Sequence, residues 1–159
     1  AFDAEELGRL GSRHYVECPP IPITSTVLMI NFDMIGKNGE NHIYAVGTRS
    51  SAEVHLVHHR VNQHIRLDIT NPTSYRLGRS DHTAFYYARV PIMYLFGGID
   101  DDYNSPDDTW EKLIPGKLEK VARLALLTAC DVANLAARPV FRTPSNAPAN
   151  HLEIEVPRR

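Results

Sequence analysis

Strand-like and helix-like segments alternate along this chain, and the alternation restricts its fold more than any other feature. Residues 24–32 are β-branched and almost continuously apolar toward their end, which is typical of a central strand covered on both faces. Residues 90–96 are predicted to form another buried strand, whereas residues 50–64 and 118–137 repeat apolar side chains at helical spacing. The alternation predicts an α/β fold with a mostly parallel twisted sheet sandwiched by helices.

Shorter segments fill in this architecture. They are predicted as helices over residues 7–18 and 81–88 and as strands over His42–Val46 and residues 66–69. We predict a domain over residues 1–138, followed by a surface tail over residues 139–159 that four prolines punctuate.

Length, charge and cysteine content narrow the classes of partner. The 159 residues fit one domain, and 43% hydrophobic with 23% charged residues is ordinary for a globular protein. The net charge of −2 gives no electrostatic reason to expect nucleic acid, and no apolar run approaches the roughly 20 residues that span a membrane. Cys18 and Cys130 are too few for a disulfide framework.

The first residues favour a chain with further sequence upstream. Ala1 and Phe2 resemble the end of a buried strand, and a stable domain rarely begins inside a strand. Without the preceding strands, a sheet edge and an apolar face would lie open. We expect self-association into a homo-oligomer to cover that face.

Glu5 and Glu6 are the first residues with a candidate chemical role. Two adjacent carboxylates just past a strand can point in different directions, so that one binds a metal while the other takes a proton from metal-bound water. By itself, such a pair more often marks the solvated start of a helix.

Asp33 is a stronger candidate because it stands at the carboxyl end of a predicted strand, where open α/β sheets build their binding crevice. A charge at that place is costly to bury unless it is paired or binds a metal. The alternative is an aspartate that caps the following turn, and we favour the metal ligand.

Three histidines of the helix predicted over residues 50–64 invite a metal interpretation, because positions i and i+4 share one helix face. They are His55, His58 and His59. No HExxH pattern accompanies them, and they flank the apolar stripe of the helix. An ordinary polar face with His58 partly packed is therefore predicted.

Five strings, in order along the chain, resemble the second half of the catalytic domain of the co-catalytic dizinc aminopeptidase superfamily. This superfamily contains bacterial leucyl aminopeptidase-like metallopeptidases, glutaminyl cyclases and the transferrin-receptor ectodomain. The strings are FDAEELG (residues 2–8), NFDMIG (31–36), SDH (80–82), DYNSP (102–106) and DDT (107–109). The resemblance covers residues 2–137 and implies an incomplete version of the zinc aminopeptidase fold.

The resemblance also implies roles for individual residues. Carried over by position, Glu5 is the general base, Glu6 a ligand of one zinc and Asp33 a ligand of the other. Asn104 stands where the family has a zinc-binding histidine, and a neutral amide oxygen is a poor zinc donor.

Three further residues are expected in the substrate pocket by the same resemblance, namely Asp81, His82 and Tyr103. The family's first histidine ligand and its bridging aspartate lie upstream of the Glu5-Glu6 pair. Two carboxylates do not hold a zinc ion that normally takes three or four protein donors. We therefore expect this chain alone to bind the family's two zinc ions weakly or not at all and to be inactive.

The resemblance implies a zinc-dependent hydrolase that removes amino-terminal residues from peptide substrates. One alternative is a metal-free binding or scaffold module on the same fold, which Asn104 favours and the intact Glu5, Glu6 and Asp33 disfavour. The other is a glutaminyl cyclase, for which the residues give no specific support. Since members of the superfamily are often exported, a secreted or periplasmic location is expected.

Overall fold

Helices and strands alternate through residues 1–72 and 80–143, the part of the chain that the computed structural model describes. The helices are α1 (Leu10–Glu17), α2 (Ala52–Ile65), α3 (His82–Tyr87) and α4 (Pro115–Ala133). The strands are β1 (Met29–Asp33), β2 (His42–Val46), β3 (Asp68–Thr70) and β4 (Ile92–Phe96). Short 3-10 helices cover Ile23–Ser25, Thr48–Ser50 and Trp110–Lys112.

The strands form a four-stranded sheet in the order β1-β4-β2-β3. β1 pairs with β4 and β2 pairs with β3 in parallel, whereas β2 and β4 run antiparallel. The predicted α/β class with a mostly parallel sheet is confirmed, and the antiparallel pairing in its middle was not predicted.

Strand β4 is the buried centre of the sheet. Met93 and Leu95 belong to a core cluster with apolar residues of α2 and α4, whereas Ile92 packs in a separate cluster with residues of α3. Because successive strand side chains point to opposite faces, this division places helices on both sides of the sheet. The prediction that residues 24–32 form a central strand is wrong for the described sheet: β1 lies at its edge, and Phe32 is 47% exposed.

The two longest helices follow their predicted apolar stripes. In α2, Val54, Val57 and Val61 are buried, and the Ser51 side chain accepts a hydrogen bond from the Val54 backbone N–H. Helix α4 begins earlier than predicted because Pro115 occupies its first turn, where its missing N–H has no partner to lose.

Aromatic packing fixes the first residues of the chain. Phe2 is not in a strand, contrary to the prediction, and its ring lies 5.7 Å from that of Tyr15 and 5.6 Å from that of Phe85. Tyr15 belongs to α1 and Phe85 to α3, so the cluster anchors the residues before Glu5 against two helices.

Residues 139–143 return to the body of the protein. The Phe141 ring packs at 5.3 Å against Tyr86, and the Arg142 backbone N–H donates to the Ser50 carbonyl. The rest of the predicted tail, residues 144–159, lies outside the described residues. Within residues 1–72 and 80–143, no helix is long and apolar enough to cross a membrane.

Candidate active site

A cavity of about 490 Å³ opens beside the carboxyl ends of β1 and β4. Five predicted site residues line it: Glu5, Glu6, Asp33, Tyr103 and Asn104. They come from the turn before α1, the end of β1 and the loop after β4. The fold thus brings together residues up to 99 positions apart, as expected at the strand ends of an α/β sheet.

Asp33 is held by the neighbouring strand. The Tyr94 hydroxyl donates a hydrogen bond of 3.2 Å to Asp33 Oδ2. Tyr94 stands opposite Asn31 in the β1–β4 register, two residues before the partner of Asp33, and is fully buried. A buried donor on a central strand thus holds one carboxylate oxygen of Asp33.

Glu5 lies in an acidic environment. Partial burial raises the pKa of its carboxyl above the usual 4.5, and the charges of Glu6, Asp81 and Asp33 raise it further. Arg9, which also lines the cavity, opposes this shift. A carboxylate with a raised pKa is a better proton acceptor at neutral pH, as a general base requires.

Asp81 and His82 do not line this cavity. Both are buried, and the His82 ring stacks on the Tyr94 ring with 4.1 Å between centroids. Asp81 acts on the cavity through its charge, which contributes to the raised pKa of Glu5. The structure therefore places these two residues outside the cavity lining, with His82 against Tyr94 and Asp81 within electrostatic reach of Glu5.

Lys37 organises the acidic loop that carries Asn104. Its ammonium contacts Asp108 at 2.7 Å, Asp102 at 3.0 Å and Asp100 at 3.3 Å. These carboxylates hold the pKa of Lys37 above its usual value. Asp100 and Asp102 are thus engaged by a cation of the chain itself, which argues against either as a metal ligand.

The donors in this cavity do not complete a zinc site. Among the described residues, neither Glu5, Glu6 nor Asp33 belongs to a group of three histidine, cysteine or acidic side chains with neighbouring ligand atoms. Asn104 supplies only an amide oxygen, whereas zinc takes three or four nitrogen, sulfur or carboxylate donors. These side chains fit one part of a metal centre and need further donors.

Arg9, Tyr94 and Asp108 belong to the cavity and were not predicted. Tyr94 lies in a continuous apolar run, so only its hydroxyl distinguished it from the core. Arg9 has a left-handed backbone, φ 59°, just before α1, and no sequence pattern indicated its direction.

Known proteins share the family and the fold of this chain. The model of peptidase family M28 matches residues 1–129, and the chain belongs to this family. Leucine aminopeptidase 2 of Trichophyton equinum is 36% identical over 109 residues, which cover 62% of this chain and 22% of the relative. The predicted resemblance to the dizinc aminopeptidase superfamily is thereby confirmed.

Solved structures give the same result for the fold. An aminopeptidase from Aneurinibacillus sp. strain AM-1 superposes with a TM-score of 0.68 at 25% identity, over 92% of this chain and 35% of that one. Glutaminyl cyclase of Porphyromonas gingivalis gives 0.62 at 15% identity, over 82% and 49%. The fold alone therefore does not separate hydrolysis from cyclisation, and the chain spans about a fifth to a half of these proteins.

Proposed function

We propose that this chain supplies part of the active site of an aminopeptidase that removes amino-terminal residues from peptides. The observation that carries the proposal is the convergence of Glu5, Glu6 and Asp33 in one cavity at the strand ends. Asp33 accepts a hydrogen bond from the buried Tyr94 hydroxyl, which supports an ordered position for this carboxylate rather than a freely solvated one.

Glu5 is the proposed general base. Its raised pKa suits a carboxylate that accepts a proton from an attacking water molecule and returns it to the departing amine. The proposed metal ligands are Asp33, which Tyr94 holds in place, and Glu6, the residue that follows Glu5 in the chain.

Zinc, the metal named for a structural neighbour from Bacillus subtilis, lowers the pKa of a bound water molecule when it is held in such a site. The described residues do not complete the donor set in the cleft, so the further donors are expected to come from outside residues 1–72 and 80–143. This chain by itself is therefore expected to bind zinc weakly in the cleft and to be inactive.

The test uses a protein that contains this sequence and has the full length of its family relatives. Glu5→Gln is expected to lower kcat/KM for an aminoacyl arylamide by about 10²- to 10⁴-fold, because it removes the base but keeps the side chain's size. Glu17→Gln is the matched control, since Glu17 is an exposed glutamate at the end of α1. Equal activity of both variants would contradict the role of Glu5.

Asn104 supports a second candidate, a peptidase-fold module that binds a partner without metal. Asn104 has a left-handed backbone, φ 55°, which asparagine and histidine tolerate better than most residues. Asn104→His can therefore be made without backbone strain. In the full-length protein it should strengthen zinc binding and raise hydrolysis, whereas a scaffold module would remain inactive with unchanged zinc content.

A further inference from the structure

Three histidines of α2 form a compact cluster that does not line the acidic cavity. One ring nitrogen from each of His55, His58 and His59 lies within 4.8 Å of the others. The ring centroids of His58 and His59 are 4.4 Å apart, and those of His55 and His59 are 4.6 Å apart. The i, i+3 and i+4 spacing points all three rings along one face of the helix.

The burial of the cluster is graded. His58 is fully buried, His55 is partly buried and His59 is exposed. Complete burial of His58 exceeds the partial packing expected of an ordinary polar helix face. One side of the cluster is thus fixed by the protein, and the other opens to solvent.

A chain of hydrogen bonds holds two of the rings. Thr48 Oγ1 donates to Asn71 Oδ1 at 3.2 Å and lies 3.1 Å from His55 Nδ1. Asn71 Oδ1 also lies 3.1 Å from His58 Nε2. Since an amide oxygen only accepts and the threonine proton is directed to it, these contacts assign His58 Nε2 and His55 Nδ1 as donors.

These donations fix the tautomers. In the neutral rings, His55 Nε2 and His58 Nδ1 keep their lone pairs. His58 Nδ1 is buried without a hydrogen-bond partner of ordinary geometry, although the carbonyls of Val54 and His55 lie near enough to act on the ring. Metal-binding histidines usually donate their other N–H to an oxygen acceptor, as these two do.

The rings are also kept in the neutral form that binds metals. Burial, followed by the charges of His59 and His55, lowers the pKa of His58 from 6.5 to about 4. Burial likewise lowers the pKa of His55. At neutral pH a metal ion therefore does not have to displace a proton from either ring.

We propose that His55, His58 and His59 bind a divalent transition metal ion such as Zn²⁺ or Ni²⁺. Tetrahedral zinc with bonds of about 2.0 to 2.1 Å requires nitrogens about 3.3 Å apart, so the donors must close from at most 4.8 Å. Exposed His59 has the freedom to make this movement. Three imidazoles leave a coordination position for water and exclude Mg²⁺ and Ca²⁺, which prefer oxygen ligands.

The experiment is a calorimetric titration of the 159-residue chain, free of any histidine tag, with Zn²⁺, Ni²⁺ and Mg²⁺ at pH 7.5. His59→Asn and His55→Asn test the cluster, and His64→Asn is the matched control because His64 is an exposed histidine of the same helix. The double variant Glu6→Gln/Asp33→Asn removes the two cleft carboxylates that are proposed as metal ligands. Circular dichroism verifies that each variant is folded. His59 lies on the surface, where a substitution disturbs packing least.

One equivalent of Zn²⁺ or Ni²⁺ is expected to bind the chain, the His64 variant and the cleft variant alike. His59→Asn should weaken that binding by about tenfold or more. Unchanged affinity in both cluster variants would overturn the proposal, as would loss of binding in the cleft variant or equal binding of Mg²⁺. Because the cleft variant separates the two sites, failure of this proposal leaves the aminopeptidase proposal intact.

Discussion

The Tyr94 hydroxyl of β4 reaches across the sheet and donates a 3.2 Å hydrogen bond to Asp33 Oδ2 at the end of β1. This bond joins the buried centre of the fold to the acidic cavity. The buried His82 ring stacks against the Tyr94 ring. The position of one proposed ligand is therefore set by the core rather than by a surface loop.

Tyr94→Phe is expected to lower the free energy of unfolding by about 1 to 2 kcal/mol, because a buried hydroxyl that donates to a carboxylate is lost. Urea denaturation at pH 7 measures the loss. In an Asp33→Ala background the same substitution should cost clearly less, since its acceptor is already gone. An equal cost in both backgrounds would show that the two side chains are not coupled.

Glu5→Gln is expected to raise the melting temperature at pH 7 and to leave it unchanged near pH 4. Folding raises the pKa of Glu5, so its favourable contribution is complete below about 4.5 and is lost as pH rises through the folded value. Partial exposure limits the gain to less than about 1 kcal/mol. Calorimetric scans at the two pH values measure the change in melting temperature, with Glu17→Gln as control. A lower melting temperature of Glu5→Gln at pH 7 would contradict the prediction.

Gly97→Ala is expected to destabilise the protein by about 1 to 3 kcal/mol, because its Cβ would lie 1.9 Å from the Met34 carbonyl oxygen. Because Gly97 has no side chain, the loop after β4 can pass close to Met34, the residue that follows Asp33. Gly116→Ala is the control, since its Cβ meets nothing within 4 Å in α4, and it should be neutral or stabilising by up to about 1 kcal/mol. Equal urea midpoints for the two variants would refute the steric argument.

Stability is expected to fall between about pH 6.5 and pH 4 because of His58. Folding depresses its pKa from 6.5 to about 4, so the unfolded chain takes up a proton in this window and the folded chain does not. The difference corresponds to about 3 kcal/mol of unfolding free energy.

Urea denaturation in metal-free buffer at pH 7 and pH 4.5 measures this loss. His58→Gln should flatten the pH dependence, whereas His64→Gln on the exposed side of α2 should not. A dependence equally steep in His58→Gln would assign it to other groups.

The acidic cluster was predictable from two different signals in the sequence. Asp33 directly ends an apolar strand, whereas Glu5 and Glu6 belong to a family string, and the structure places all three on one cavity. The helical period of 3.6 residues likewise predicted which faces of α2 and α4 are buried.

The strand order was not predictable, because an apolar run shows that a strand is buried but not which neighbours bury it. Residues 24–32 and 90–96 have similar composition, yet Phe32 is exposed at the edge and Leu95 is buried at the centre. The ion pairs of Lys37 with Asp100 and Asp102 were not predictable either, since the partners lie more than 60 residues apart in the sequence. Pairing across such distances depends on tertiary contacts.

Strand β1 lies at the edge of the described sheet, and its last residue, Asp33, lines the acidic cavity. Within the described sheet, one side of Met29–Asp33 has no strand beside it, and its backbone groups there can accept another polypeptide. A strand added in parallel would end beside the cavity that Asp33 and Glu5 line. A polypeptide segment docked along β1 would therefore border the cavity that Glu5, Glu6 and Asp33 line.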